Sequence, residues 1–249
     1  MSFTVPNAVL FDFGGTLAED SEFDLIRGAG FLRSIALNPE VASTEQICRL
    51  WQDFHRSIKS AENPASPFSI ETPLPCIFNY IFAVTGLKFD KEPAELEYLF
   101  DKNDSDRAPQ PYMEQLLDVL NELNIKTAVI SNIVMTGAAL GRAVNELYPR
   151  NRFKHIITSA DYCLKKPAPY MFTAAASLLG EDTQSCLYCG DSHGADVNGA
   201  NAAGMRAVLY DKNAAQDAEY CGDCLRINSW NILAGLLMRG AENGKNTCS

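Results

Sequence analysis

The chain has 249 residues, 47% of them hydrophobic and 21% charged. That balance excludes disordered and fibrous classes and fits one large domain or two small ones. With 21 Lys plus Arg against 31 Asp plus Glu, the formal net charge is −10. This disfavours nucleic acid and anionic membranes as partners, and it demands a local cation wherever a phosphate ester is to bind.

The first residues carry no basic segment followed by a long apolar stretch, and no run approaches the roughly 18 apolar residues of a membrane span. A cytoplasmic location is expected, where the eight cysteines stay reduced. Two pairs have C-x-x-C spacing, Cys186/Cys189 and Cys221/Cys224. The first lies in a segment that reads as a strand, where residues three apart face opposite ways, so those thiols are expected to be buried separately. The second lies in a polar loop and is free to pair or to bind a metal.

In chain order, Ala8 to Phe11 is a short apolar strand ending at Asp12-Phe-Gly-Gly-Thr16. From about 20 to 105 the pattern is helical throughout, with amphipathic stretches over Phe23–Leu37, Thr44–Ile58, Ile77–Thr85 and Ala94–Phe100 and no strand. After Pro109 strands and helices alternate. A helix over Tyr112–Leu123 precedes strand Thr127–Ile130, which ends at Ser131-Asn132. Strand Ile156–Ile157 leads to the Lys165-Lys166-Pro167 loop and a helix over Tyr170–Leu179. Strand Cys186–Cys189 ends at Gly190-Asp191, followed by a helix over Ala195–Ala203, strand Ala207–Tyr210, a further strand at Leu225–Ile227 and a closing helix near Ile232–Met238. The polar tail from Asn243 is expected to fray. This alternation predicts an α/β fold, a doubly wound parallel sheet with helices on both faces, carrying an inserted all-helical cap. The expected division is a core of residues 1–18 and 106–249 and a cap of residues 19–105.

Ligands of open parallel sheets bind at the carboxyl ends of the strands. This chain places there Asp12, Ser131, Asn132, Lys166, Asp191 and, five residues on, Asp196. Carboxylates crowded together repel, and a divalent cation with oxygen ligands, Mg²⁺ by preference, removes the conflict. Such a set, with a lysine opposite, suits phosphoryl transfer, and an Asp carboxylate so placed can attack phosphorus.

The joint pattern resembles the haloacid dehalogenase superfamily, dominated by Mg²⁺-dependent phosphatases with a Rossmann-like core. The motifs that carry the resemblance are Phe11-Asp-Phe-Gly-Gly-Thr-Leu17, Val129-Ile-Ser-Asn132, Lys166-Pro-Ala-Pro169 and Gly190-Asp-Ser-His-Gly-Ala-Asp196, and the helical insert is similar to the family's small cap. The resemblance implies a small phosphorylated metabolite as substrate and Asp12 as nucleophile. Ser131 and Lys166 would hold the phosphoryl group, and Asn132 and the backbone at Gly14 and Gly15 would help to bind phosphate. Mg²⁺ would lie on Asp12, the Gly14 carbonyl, Asp191 and Asp196, with Asp196 holding Lys166 or a metal-bound water.

One position departs from the pattern. Family phosphatases carry a second Asp two residues after the nucleophile, the general acid for the leaving group; here it is Gly14. Acid catalysis is typically worth about 10² to 10⁴ in rate. Its loss leaves several readings: a leaving group that needs no proton, a substitute acid (Glu19, Asp20, His193 or His55), a weak or inactive ligand-binding or regulatory protein, a metal-free dehalogenase, against which Asp191 and Asp196 argue, or a phosphonatase-like hydrolase using Lys59 as a Schiff base.

Overall fold

The computed structural model describes residues 3–20 and 22–246. Its centre is a seven-stranded sheet in the order β5-β4-β1-β6-β7-β9-β8. The strands are β1 (Ala8–Phe11), β4 (Lys126–Ser131), β5 (His155–Thr158), β6 (Cys186–Gly190), β7 (Arg206–Tyr210), β8 (Ala218–Tyr220) and β9 (Leu225–Ile227). All neighbours pair in parallel except β8, which runs antiparallel to β9 at the edge. The six strands expected from sequence are therefore present, and β8 is an addition.

Strand alternation sorts the core. Val9, Phe11, Val129, Leu187 and Cys189 bury on one face, against α5 (Met113–Glu122), α6 (Gly137–Leu147) and α10 (Trp230–Asn246). Ala8, Leu10, Ala128, Ile130, Cys186 and Tyr188 bury on the other, against α8 (Tyr170–Leu179) and α9 (Asn198–Ala202). Cys186 and Cys189 thus enter opposite cores as free thiols, as the spacing predicts. Helix α6 and the short helix α7 (Ser159–Tyr162) have no counterpart among the elements expected from sequence. The helix expected over Ala195–Ala203 is a π-helical turn, His193–Val197, followed by α9. The tail expected to fray continues α10 as far as Asn246, and residues 247–249 lie outside the described residues.

Between β1 and the rest of the sheet stand four helices: α1 (Leu25–Ser34), α2 (Thr44–Ala61), α3 (Leu74–Thr85) and α4 (Pro93–Asp104). Asp24 and Ser43 cap α1 and α2 by accepting from Arg27 N and Gln46 N, which satisfies otherwise orphaned amides. The chain leaves and re-enters through a small antiparallel ribbon, β2 (Ala18–Asp20) with β3 (Arg107–Pro109), in which Ala18 faces Pro109 and Asp20 faces Arg107. The ribbon was not expected from sequence. It is tied down by Tyr148, whose hydroxyl donates to Leu17 O at 2.5 Å and accepts from Gln110 N at 3.1 Å.

Helix α1 packs on α4 at Phe100, on which Trp51 of α2 also stacks, with ring centroids 5.1 Å apart. Gly28 makes the packing possible: a Cβ there would stand 2.8 Å from the Phe100 ring and 3.0 Å from Asp104 Cβ, whereas one at Gly30 would meet nothing closer than Thr44 Cγ2 at 3.9 Å. Gly28→Ala is expected to destabilise the protein by about 1–3 kcal/mol through overpacking. Gly30→Ala, on the same helix, is expected to be neutral or to stabilise by up to about 1 kcal/mol through helix propensity. Urea unfolding midpoints of the two variants check this; equal effects would place the close contact elsewhere.

Candidate active site

The sheet register puts Phe11 level with Val129 and with Cys189, so Asp12, Ser131 and Asp191 emerge together at the carboxyl edge. The chain reverses there, with β4 and β5 on one side of β1 and β6, β7 and β9 on the other. This is the switch point at which open α/β sheets bind ligands.

The centre of the site is a buried ammonium. Lys166 Nζ lies 2.7 Å from Asp12 Oδ1 and 2.7 Å from Asp196 Oδ1. It also donates to Ile130 O at 3.2 Å and Tyr188 OH at 2.9 Å. Lys166, Asp12, Asp196 and Ser131 are all buried. The Lys166 loop, which contains a cis Lys166–Pro167 bond, is held by Asn132. Lys166 N donates to Asn132 Oδ1 at 2.7 Å, and Asn132 Nδ2 donates to Lys166 O at 3.1 Å. The amide expected to bind phosphate therefore faces the lysine backbone through both of its polar atoms.

Asp196 uses both oxygens. Oδ1 accepts from Lys166 and from Tyr188 OH at 3.2 Å, and Oδ2 accepts from Ser192 N at 2.9 Å. Of the two roles open to it, holding Lys166 is the one seen directly. Tyr188 was missed from sequence, although a tyrosine in an otherwise apolar central strand is a signal. A buried phenol there needs partners, and it finds Ile130 O at 3.0 Å together with Lys166 and Asp196.

Burial pushes the Asp12 carboxyl up to about 7; Lys166 pulls it back, and the nearby Asp196 adds to the rise. Burial works against the Lys166 ammonium, yet Asp12 and Asp196 together hold its pKa above the ordinary lysine range.

Asp12, Asp191 and Asp196 each bring one oxygen to within 4.8 Å of the others. Three carboxylates with one buried ammonium leave a formal excess of two negative charges. That donor set, all hard oxygen, fits a divalent cation of the Mg²⁺ kind. Gly15 lets Asp191 take its place. It has φ +72°, and a Cβ there would stand 2.2 Å from Asp191 Oδ2. Gly14 is bridged to Ala18, and Gly15 N donates to Ala18 O at 2.8 Å, so the loop after Asp12 turns tightly beneath the ribbon.

One cavity adjoins this edge, and a second, within the helical insertion, reaches the segment after β4 at Val134. The first, of about 360 Å³, is lined by Gly15, Glu19, Asp191 and Lys212 among others, with Glu19 3.6 Å from Lys212. The other, of about 750 Å³, lies between α1, α2 and α3 and the segment after Asn132, and is lined by Phe23, Trp51, His55, Lys59, Ile77 and Val134 among others. The substitutes considered for the missing acid are thus dispersed. Glu19 lines the first cavity and His55 the second. His193 is turned to Asp223, with Nε2 3.2 Å from Oδ2. The Asp20 side chain lies outside the described residues. Lys59 is ion-paired with Glu62 at 3.0 Å and its side chain is 38% exposed, so the burial that a Schiff-base amine requires is not provided.

Known proteins place the chain. A family model for haloacid dehalogenase-like hydrolases matches residues 6–204. A ribulose-1,5-bisphosphate 5-phosphatase of Halopiger xanaduensis is 29% identical over 113 residues, covering 45% of this chain and 46% of that protein. A glyceraldehyde 3-phosphate phosphatase of Methanopyrus kandleri is 36% identical over 67 residues, covering 27% of this chain and 29% of that one. The matched segments thus span less than half of either relative. Among solved structures, a 2-haloacid dehalogenase from Pseudomonas syringae superposes with a TM-score of 0.59 at 20% identity, covering 95% of this chain and 99% of that one. An HAD phosphatase from Thermococcus onnurineus superposes with 0.54 at 20% identity, covering 95% and 98%. These two likenesses speak for the fold. The match over residues 6–204 identifies the chain as a member of the haloacid dehalogenase-like hydrolase family.

Proposed function

We propose that the protein is a Mg²⁺-dependent phosphatase of a small phosphorylated metabolite, working through an aspartyl-phosphate on Asp12. The observation that carries this reading is the Lys166 ammonium shared between Asp12 and Asp196 at the strand tips, with Asp191 alongside. The two curated relatives are named as phosphatases of phosphorylated sugars, which supports substrates of that size. Residues 1–18 and 106–249 serve as the catalytic core and residues 19–105 as the cap. The 750 Å³ cavity beside Val134 receives the part of the substrate that is not transferred.

Asp12, Asp191 and the Gly14 carbonyl would hold the ion, with Asp196 behind them; bound Mg²⁺ would supply positive charge to the phosphoryl oxygens. The chain's own groups do the rest. The Asp12 carboxylate attacks phosphorus, and the bond from phosphorus to the leaving oxygen breaks as the new one forms. Lys166 donates to a phosphoryl oxygen while remaining anchored by Asp196 and Tyr188, so its charge is in place before reaction. Ser131 donates to a second phosphoryl oxygen. Water then cleaves the aspartyl-phosphate, releasing phosphate and restoring Asp12.

With glycine at position 14 the leaving oxygen has no carboxyl in the usual place. This favours substrates whose leaving group is stable as an anion, such as aryl esters and acyl phosphates, over alkyl esters. The same glycine supports a second reading, a ligand-binding protein of slow turnover. That reading predicts Mg²⁺-dependent binding with negligible phosphate release across a substrate panel.

Phosphate release from a panel of phosphorylated metabolites in Mg²⁺ tests both. The phosphatase reading expects turnover that ceases with EDTA and falls by at least about 10³-fold in Asp12→Asn, a loss on the scale of removing a nucleophile; full turnover by that variant removes Asp12 from the role. Gly15→Ala provides a finer check. Its Cβ would displace Asp191, so the Mg²⁺ concentration for half-maximal activity should rise at least about tenfold, as supporting residues of metal sites typically show. An unchanged requirement would detach Gly15 and Asp191 from the metal.

A further inference from the structure

A second group of metal-ligating side chains lies outside the site just described. His193, Asp223 and Cys224 each bring one ligand atom to within 4.8 Å of the others. We propose that these three residues form a separate binding site for a soft or borderline divalent cation of the Zn²⁺ class, closing the β8–β9 turn onto the segment that follows Asp191.

The geometry is close to what such an ion needs. Zinc–nitrogen and zinc–oxygen bonds are about 2.0–2.1 Å, so tetrahedral ligand atoms stand about 3.3 Å apart. His193 Nε2 and Asp223 Oδ2 are 3.2 Å apart, already one edge of that tetrahedron, and a Cys224 ligand atom lies within 4.8 Å of both residues' ligand atoms. The third donor sits on a fixed base. Cys221 N donates to Cys224 O at 2.9 Å, and Asn201 Nδ2 donates to Asp223 O at 3.0 Å. These bonds fasten the Cys221-Gly-Asp-Cys224 turn to itself and to α9. Cys224 is buried in the apolar layer beneath α8 and α9, whereas His193 and Asp223 are about half exposed. One buried inner ligand and two half-exposed outer ones leave the site open to solvent on one side, where water can complete a four-coordinate ion.

Ligand chemistry separates the two sites. Asp12, Asp191 and Asp196 offer only hard oxygen, suited to Mg²⁺, whereas a thiol, an imidazole and a carboxylate select Zn²⁺ or Co²⁺ over Mg²⁺. Cys221, the other cysteine of the turn, is not among the three residues and is not required as a ligand. Because His193 opens the π-helical turn that carries Asp196, an ion here would hold that turn against the β8–β9 hairpin. The proposal goes beyond the phosphatase reading and does not depend on it.

Cobalt titration of the full-length protein, under reducing conditions and with Mg²⁺ in excess, tests it. The expected result is one equivalent of Co²⁺ giving a thiolate-to-cobalt charge-transfer absorption. That band should be the same in Asp12→Asn and absent in Cys224→Ser. His193→Ala, a change at an exposed position that leaves the core intact, should shift the titration at least tenfold to higher cobalt. Binding without a sulfur band, a band that survives Cys224→Ser, or an unshifted titration in His193→Ala would each overturn the proposal. The Asp12→Asn arm keeps its failure distinct from any failure of the phosphatase reading.

Discussion

A buried lysine ammonium between two carboxylates is the constraint on which the rest of this site depends. Lys166 touches Asp12 and Asp196 at 2.7 Å each and is shielded from water, so neither partner can be removed without stranding a charge in a low-dielectric interior. The constraint reaches outward. Asn132 clamps the lysine backbone, Tyr188 links the ammonium to Asp196 and to the end of β4, and Ser192 N fixes the far oxygen of Asp196. Four neighbouring stretches of chain are thereby locked at one edge of the sheet before any ligand arrives, the preorganisation that electrostatic catalysis requires.

The local chemistry also supports the proposed divalent ion. One ammonium cannot neutralise three carboxylates, and the burial that protects the Lys166 pair raises the Asp12 carboxyl toward its protonated form. A nucleophile must be ionised to act. A divalent cation beside Asp12 and Asp191 would lower the cost of that ionisation, so in the proposed mechanism metal dependence and nucleophile activation are one requirement.

Much of this was legible in the amino-acid sequence because strand-tip chemistry leaves compact signatures. Asp12, Ser131 and Asp191 each follow a short apolar run, Lys166 lies in the loop after another, and the alternation after Pro109 announces the parallel sheet. The opposite burial of Cys186 and Cys189 follows from strand geometry alone. What escaped notice depends on distant partners. The strands β2 and β3 are three residues each and exist only through pairing across the whole helical insertion. Edge strand β8, Ala-Glu-Tyr, is exposed throughout and shows no alternation. Helix α6 opens on glycine, a poor helix former, and its start depends on the Thr136 cap and on the Asp161 carboxylate accepting from Gly137 N at 2.8 Å. The roles of Asn132 and Tyr188 are tertiary, since both act on a lysine reached only by folding.

The most direct test of the linkage between burial, charge and metal is calorimetric. Mg²⁺ is titrated into the protein in buffers of different ionisation enthalpy, from pH 6 to pH 9, to count the protons released. With the Asp12 carboxyl raised to about 7, ion binding at pH 6 should expel close to one proton, because the carboxyl starts protonated and the ion demands its anion. The release should fade toward zero by pH 9 and be absent at every pH in Asp12→Asn. Mg²⁺ binding with no proton release at pH 6, or release that persists in Asp12→Asn, would contradict the account.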